Sequence, residues 1–150
     1  MAGMPKPFTF SRRVQFAETD MAGIAHFSVF FRFMEEAETA FWKSLGLSMI
    51  LRQGETAVGW PKVRVNCEYH SPVGFDDLLE IDVTVAEIGK HSVRFLFVFR
   101  RSEEAAGGEE QEVARGEMKV VCVPLKSAAR LSATPIPEKV REKLETVRSG

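Results

Sequence analysis

One helix in this sequence is long and apolar enough to need covering, and that requirement governs the whole fold. From Phe27 to Leu45, at about 100° per residue, Phe27, Phe30, Phe31, Met34, Ala37, Phe41 and Leu45 fall on one arc. Ser28, Arg32, Glu35, Glu36, Thr39 and Lys43 fall on the opposite arc. Gly46 is placed as the helix C-cap glycine. One acid, Glu38, sits in the middle of the apolar arc, where burial without a partner would be costly. Arg32, or a basic residue of a second subunit, could satisfy it.

The rest of the chain reads as the cover. Phe8 to Phe16 alternates apolar and polar residues, as a strand with one buried face does. Thr56 to Tyr69 reads as a strand, with Pro61 marking an edge or a bulge. Leu79, Ile81, Val83 and Val85 alternate in the next strand. Gly89 and Lys90 turn it tightly into Val93, Phe95, Phe97 and Phe99. The acidic, glycine-containing run from Glu103 to Glu112 reads as a hairpin loop before a last strand, Val113 to Val123. Pro124 to Ile136 reads as an extended tail, and Pro137 is placed to start a short helix, Glu138 to Val147. Hairpin connections make the sheet antiparallel. The expected fold is α+β: a five-stranded antiparallel sheet wrapped around one long helix, with a short C-terminal helix, as a single domain over residues 1–150.

Bulk properties exclude several classes of function. With 150 residues, 45% apolar and 27% charged, the chain fits one soluble domain. A net charge of −1 gives no reason to expect a nucleic acid partner. No apolar run approaches the ~20 residues of a membrane span, and the first residues lack the apolar stretch of a signal peptide. Cys67 and Cys122 lie in strand-like runs outside any metal-ligand spacing, which suits buried thiols in a reducing, cytoplasmic setting. Twelve Phe against one Tyr leave much aromatic surface for a core, an apolar pocket or a subunit interface.

The chemistry concentrates just before the long helix. Asp20 stands in the turn of Ala17 to Ala25, followed by Gly23, His26 and Phe27. The first amides of a helix are unpaired and can stabilise a developing oxyanion. A carboxylate beside them can act as base or nucleophile, or it can simply cap the helix. Phe27 N–H is the candidate donor, with Gly23 allowing the backbone to come close. His26 could orient a substrate or a water.

The run Asp20-Met21-Ala22-Gly23-Ile24-Ala25-His26-Phe27, followed by Phe33-Met34-Glu35, resembles the lead motif of the hotdog-fold acyl-CoA thioesterases, in their 4-hydroxybenzoyl-CoA thioesterase-like group. The resemblance continues through Glu68-Tyr69-His70-Ser71-Pro72, Phe75 to Ile81, Ile88 to Ser92, and Val121-Cys122-Val123 with Pro135-Ile136-Pro137. It implies a metal-free thioester hydrolase that acts on an acyl- or aryl-CoA, with no cofactor beyond the coenzyme A of its substrate. It implies Asp20 as nucleophile or general base, Glu35 as the helix acid, and a homodimer or homotetramer with sites at the subunit interface. Lys90 and Ser92 match its strand-turn segment as contacts to the CoA phosphates. Lys62, Arg64, Lys126 and Arg130 are further candidates by position. Two positions depart from the family pattern: Glu38, where an Arg is frequent, and Pro124, where an Asp is frequent. A hotdog enoyl-thioester hydratase or dehydratase, and a non-catalytic acyl-thioester binding module, are the rival readings. The Phe-rich helix with Trp42 and Trp60 favours an apolar or aryl acyl group.

Overall fold

In the computed structural model, residues 6–53, 56–102, 110–125 and 132–149 are described. Strand β1 (Phe8–Arg13) leads through a 3-10 turn (Phe16–Glu18) to helix α1 (Val29–Ser44). Two short strands follow, β2 (Leu51–Gln53) and β3 (Thr56–Gly59), and then the long strands β4 (Lys62–Tyr69), β5 (Leu78–Ile88), β6 (Ser92–Arg101) and β7 (Gln111–Val121). A two-residue strand, β8 (Val123–Pro124), precedes helix α2 (Glu138–Val147). The main sheet has five antiparallel strands in the order β1-β5-β6-β7-β4. This is the hotdog architecture expected from the sequence.

The alternation of β5 and β6 fixes which face is buried. Leu79, Ile81, Val83 and Val85 point to the same side as Val93, Phe95, Phe97 and Phe99, and all eight are buried. Helix α1 lies on that side: Phe30 meets Phe99 and Phe41 meets Phe95 edge to face, with centroids 5.3 and 5.4 Å apart. The sheet covers more of the helix than the seven-residue arc. Val29, Phe33 and Trp42 are buried as well, and Glu38 is fully buried among them. Phe27 and Phe31 are instead 62% and 38% exposed. Phe27 precedes the first helical residue, so the helical period does not place it.

Helix α1 ends as its sequence requires. Gly46 takes φ 75°, its N–H donates to the Lys43 carbonyl at 2.9 Å, and Leu47 N–H donates to the Trp42 carbonyl at 2.9 Å. This Schellman pattern needs a left-handed residue, which glycine supplies without strain. Lys143 of α2 reaches back to the Leu45 carbonyl at 2.8 Å. Helix α2 has the expected bounds and buries Val140 and Leu144.

Two strand readings are corrected. Thr56 to Tyr69 is not one strand: it breaks at Trp60-Pro61, and β3 leaves the main sheet to join β2 and β8 in a small three-stranded sheet. Pro61 has no N–H for a ladder, and Trp60 turns inward to stack on Trp42, with centroids 4.9 Å apart. Only β4 pairs with β7, on the edge and with a register shift between Lys62 and Arg64, as Pro61 had suggested. The last strand is likewise interrupted at Cys122, so that Val123 pairs with Gly59 instead. The acidic hairpin loop falls mainly on residues 103–109, outside the described residues; its flanks, β6 and β7, pair antiparallel as expected.

Glu38 finds a partner other than those expected. Lys62 Nζ of β4 lies 2.9 Å from Oε1, an ion-pair contact whose angle is poor for a hydrogen bond. Trp42 Nε1–H donates to Oε2 at 3.2 Å. Arg32 is exposed and a second subunit is not needed. Burial holds the Glu38 carboxyl above its ordinary range, against the opposing pull of Lys62 and Trp42.

Candidate active site

The Asp20 turn is a small closed loop. Thr19 and Ala25 form an antiparallel bridge, and Asp20 N–H donates to the Ile24 carbonyl at 2.8 Å. Gly23 N–H donates to the Asp20 carbonyl at 2.9 Å, and Gly23 takes φ 81°. A Cβ at Gly23 would meet nothing within 4 Å. Glycine is thus required there by the backbone angle, not by close packing. The loop is docked on a second turn, 71–77: Ala25 N–H donates to the Val73 carbonyl at 2.7 Å, and Ile24 bridges Gly74.

This geometry presents the Asp20 carboxylate. Oδ1 accepts the amides of Ala22 at 2.8 Å and Ile24 at 3.4 Å. Oδ2 accepts no hydrogen bond from any described residue, and the side chain is half-buried. Asp20 therefore does not cap α1; it shapes its own loop with one oxygen and offers the other.

The start of α1 lies beside it. His26 N–H is engaged by the Glu18 carbonyl at 2.8 Å, and Ser28 N–H approaches His26 Nδ1 at 3.3 Å. Between them, Phe27 N–H donates to no described residue. The Phe27 carbonyl accepts from Tyr69 Oη at 2.7 Å. The imidazole of His26 is turned to Ser28 Oγ at 2.8 Å and stays exposed.

Asp20 and Phe27 share one cleft of about 460 Å³, mostly apolar, walled by Ile24, Ala25, Phe30 and Val73. Tyr69, His70, Ser71 and Pro72 complete it. None of these four was singled out by sequence reasoning, although they form one of the segments that carry the family resemblance. His70 Nδ1 lies 2.7 Å from Glu112 Oε2, and Glu112 is held by Arg115 at 2.7 and 2.8 Å. Arg115, with His70, keeps the Glu112 carboxyl below its usual range. A Tyr-His pair at the end of a strand, immediately before the turn that holds Gly74, was the available signal.

The other candidates stand apart. His26 does not line the cleft, and Glu35 lies on an exposed patch with Phe10, Glu36 and Lys43. Lys62 is turned to Glu38, and also lies 3.8 Å from Glu35. Arg64 is exposed on the edge strand. Lys90 and Ser92 flank the β5–β6 turn, where Gly89 N–H donates to the Ser92 carbonyl at 2.7 Å. The cleft adjoins the other end of β5, and a strand of that length spans roughly 33 Å at ~3.3 Å per residue. Lys126 and Arg130 lie outside the described residues. Within one protomer, then, none of the described basic candidates lines the Asp20 cleft. Trp42 and Trp60 are buried against each other in the core and do not line it either. Among the described residues no helix is long and apolar enough to cross a membrane, and no group of three or more His, Cys, Asp or Glu is placed to hold a metal ion.

The fold agrees with what the chain is similar to. A protein of Aquifex aeolicus (strain VF5) is 33% identical over 121 residues, covering 79% of this chain and 92% of its own length. A 4-hydroxybenzoyl-CoA thioesterase of Pseudomonas sp. (strain CBS-3) is 27% identical over 140 residues, covering 89% of this chain and 94% of its own. Among solved structures, a 4-hydroxybenzoyl-CoA thioesterase variant in complex with 4-hydroxybenzoyl-CoA superposes with a TM-score of 0.80 over 93% of this chain and 99% of its own. At 22% identity that last likeness is one of fold. The sequence pattern of the Thioesterase-like superfamily matches residues 14–144, and the chain belongs to that family.

Proposed function

We propose that this protein hydrolyses the thioester of an acyl- or aryl-CoA at the Asp20 cleft. The observation that carries the reading is the pairing, in one apolar cleft, of the Asp20 Oδ2 oxygen with the Phe27 amide just before α1, neither engaged by any described residue. Asp20 attacks the thioester carbonyl, or takes a proton from the water that does. The carbonyl oxygen gains the negative charge, and Phe27 N–H meets it. On the water route the C–S bond breaks, the proton taken by Asp20 passes to the departing CoA thiolate, and the acyl group leaves as a carboxylic acid. On the direct route C–S cleavage leaves an acyl anhydride on Asp20, which a water then hydrolyses to the acid and the free carboxylate. The names of the relatives support a CoA thioester as substrate. The rival chemistries are separated by one assay on acyl- and enoyl-CoA with a thiol-trapping reagent. Release of free thiol is expected. Water addition to the enoyl group would mark a hydratase, and binding without turnover a carrier.

We further propose that the working unit is a homo-oligomer. Strands β1 and β4 end the main sheet, and the edge strand β4 exposes Val63 at 59% and Tyr69 at 45%. Edge-to-edge pairing would cover them. It would also let one subunit offer basic side chains to the cleft of another, which the spread of these residues along one protomer does not allow. Light scattering at micromolar protein should give at least a dimer; an active monomer would remove the shared-site arrangement.

A further inference from the structure

Behind the Asp20 loop lies a buried ion pair that the reaction chemistry does not use. Arg12 projects inward from β1 with 9% of its side chain exposed, and Glu18 ends the 3-10 turn with 5% exposed. Arg12 Nη2 lies 2.8 and 2.9 Å from the two carboxylate oxygens of Glu18. Its Nη1 donates to Glu36 Oε2 of α1 at 2.9 Å, and its guanidinium carbon stands 4.3 Å from the centre of the Phe33 ring. Glu18 Oε1 also accepts Gln15 N–H at 2.7 Å.

The main chain of Glu18 connects this pair to the site. Its carbonyl accepts His26 N–H at 2.8 Å, which closes the base of the loop from Thr19 to Ala25. Asp20 follows Glu18 by two residues, and Phe27 follows His26 by one. Glu18 therefore joins the strand that delivers the carboxylate to the turn that delivers the amide. Arg12 fixes Glu18 to β1 and, through Glu36 and Phe33, to helix α1, whose first residue follows Phe27 by two.

Such a pair is a poor source of stability. Taking two charges out of water offsets most of their attraction, and apolar residues of similar volume commonly serve as well. What apolar residues do not supply is direction: one planar guanidinium, with Nη2 on Glu18 and Nη1 on Glu36, holds both carboxylates at a fixed angle to each other as well as at a fixed distance. We propose that Arg12 and Glu18 are positioning residues for thioester hydrolysis, setting the Asp20 carboxylate against Phe27 N–H. This rests on the reading of Asp20 as the reacting acid.

Three variants test it, each with thermal unfolding and steady-state kinetics on an acyl-CoA. The double substitution Arg12→Met with Glu18→Leu should stay folded and bind substrate with KM within about twofold of the parent. Its kcat should fall at least about tenfold, since a misplacement of about 1 Å can cost about 10²-fold. Glu18→Gln still offers an oxygen to Arg12 and Gln15 N–H, so it should recover part of that loss, again with KM unchanged. Full parental kcat in either folded variant, or a loss of activity that only follows the folded fraction, overturns the proposal. Should the double variant fail to fold, Glu18→Gln decides alone: kcat below the parent at unchanged KM supports it, and parental kcat overturns it. Asp20→Asn is the control. If that variant stays active, the reading of the site itself fails, whatever Arg12 and Glu18 do.

Discussion

Tyr69 Oη donates to the carbonyl oxygen of Phe27 at 2.7 Å, tying the end of β4 to the turn that opens α1. The ring that carries this hydroxyl packs edge to face on Phe30, with centroids 5.1 Å apart. Burial, with Cys67 beside it, pushes the Tyr69 phenol up to about 12. The hydroxyl therefore remains a donor throughout an ordinary assay range. Tyr69→Phe keeps the ring and removes the tie. A net hydrogen bond of about 1 kcal/mol corresponds to a loss of roughly fivefold in kcat. Unchanged kcat in the folded variant would show that the Phe27 turn holds itself.

The cysteines should be bystanders. Burial pushes both the Cys67 and Cys122 thiols up to about 11. Near pH 8 only about one in a thousand of either would be thiolate, the form that reacts. Alkylating reagents should leave the activity intact, and the double variant Cys67→Ser with Cys122→Ser should keep kcat. The fully buried position 122 should cost thermal stability, because the Cys122 thiol makes no hydrogen bond with any described residue that a hydroxyl could take over. A folded double variant without turnover would move the chemistry from Asp20 to a thiol.

Glu38 gives a pH signature in stability rather than in rate. Its carboxyl titrates above its unfolded value of 4.5. The folded state therefore holds this proton more tightly than the unfolded chain does. The resulting stabilisation is complete below that unfolded value and is lost as pH rises through the folded one. Glu38→Gln has no proton to lose. The urea midpoint of the variant, relative to the parent, should rise between about pH 4.5 and pH 8. A difference that is flat or falls with pH would contradict the burial account.

How much of this was legible in the sequence depends on where the signal lay. The alternation of Leu79 to Val85 and of Val93 to Phe99 prescribed a sheet with one buried face, and that face is buried in the fold. Gly46 and Pro137 punctuated two helices correctly, because a left-handed C-terminus and a fixed φ are local demands. The break at Trp60-Pro61 was not legible as a change of sheet, because the stacking of Trp60 on Trp42 is a tertiary contact between distant residues. Asp20 and Phe27 could be brought together because six intervening residues and a left-handed glycine confine them to one turn. Tyr69 and His70 come to the cleft from another strand, and Lys62 finds Glu38 across the core. Neither relation has a spacing in the chain to betray it.

The most direct measurement is the kcat of Asp20→Asn on an acyl-CoA, alongside its unfolding curve. The amide oxygen of Asn can still accept Ala22 N–H, the 2.8 Å bond that shapes the loop, so the fold should survive. The carboxylate oxygen that no described residue engages is lost. The expected fall in kcat is at least about 10²-fold, the lower range for general acid–base catalysis. A folded variant that retains more than about a tenth of the parental rate would contradict the assignment of the reaction to Asp20.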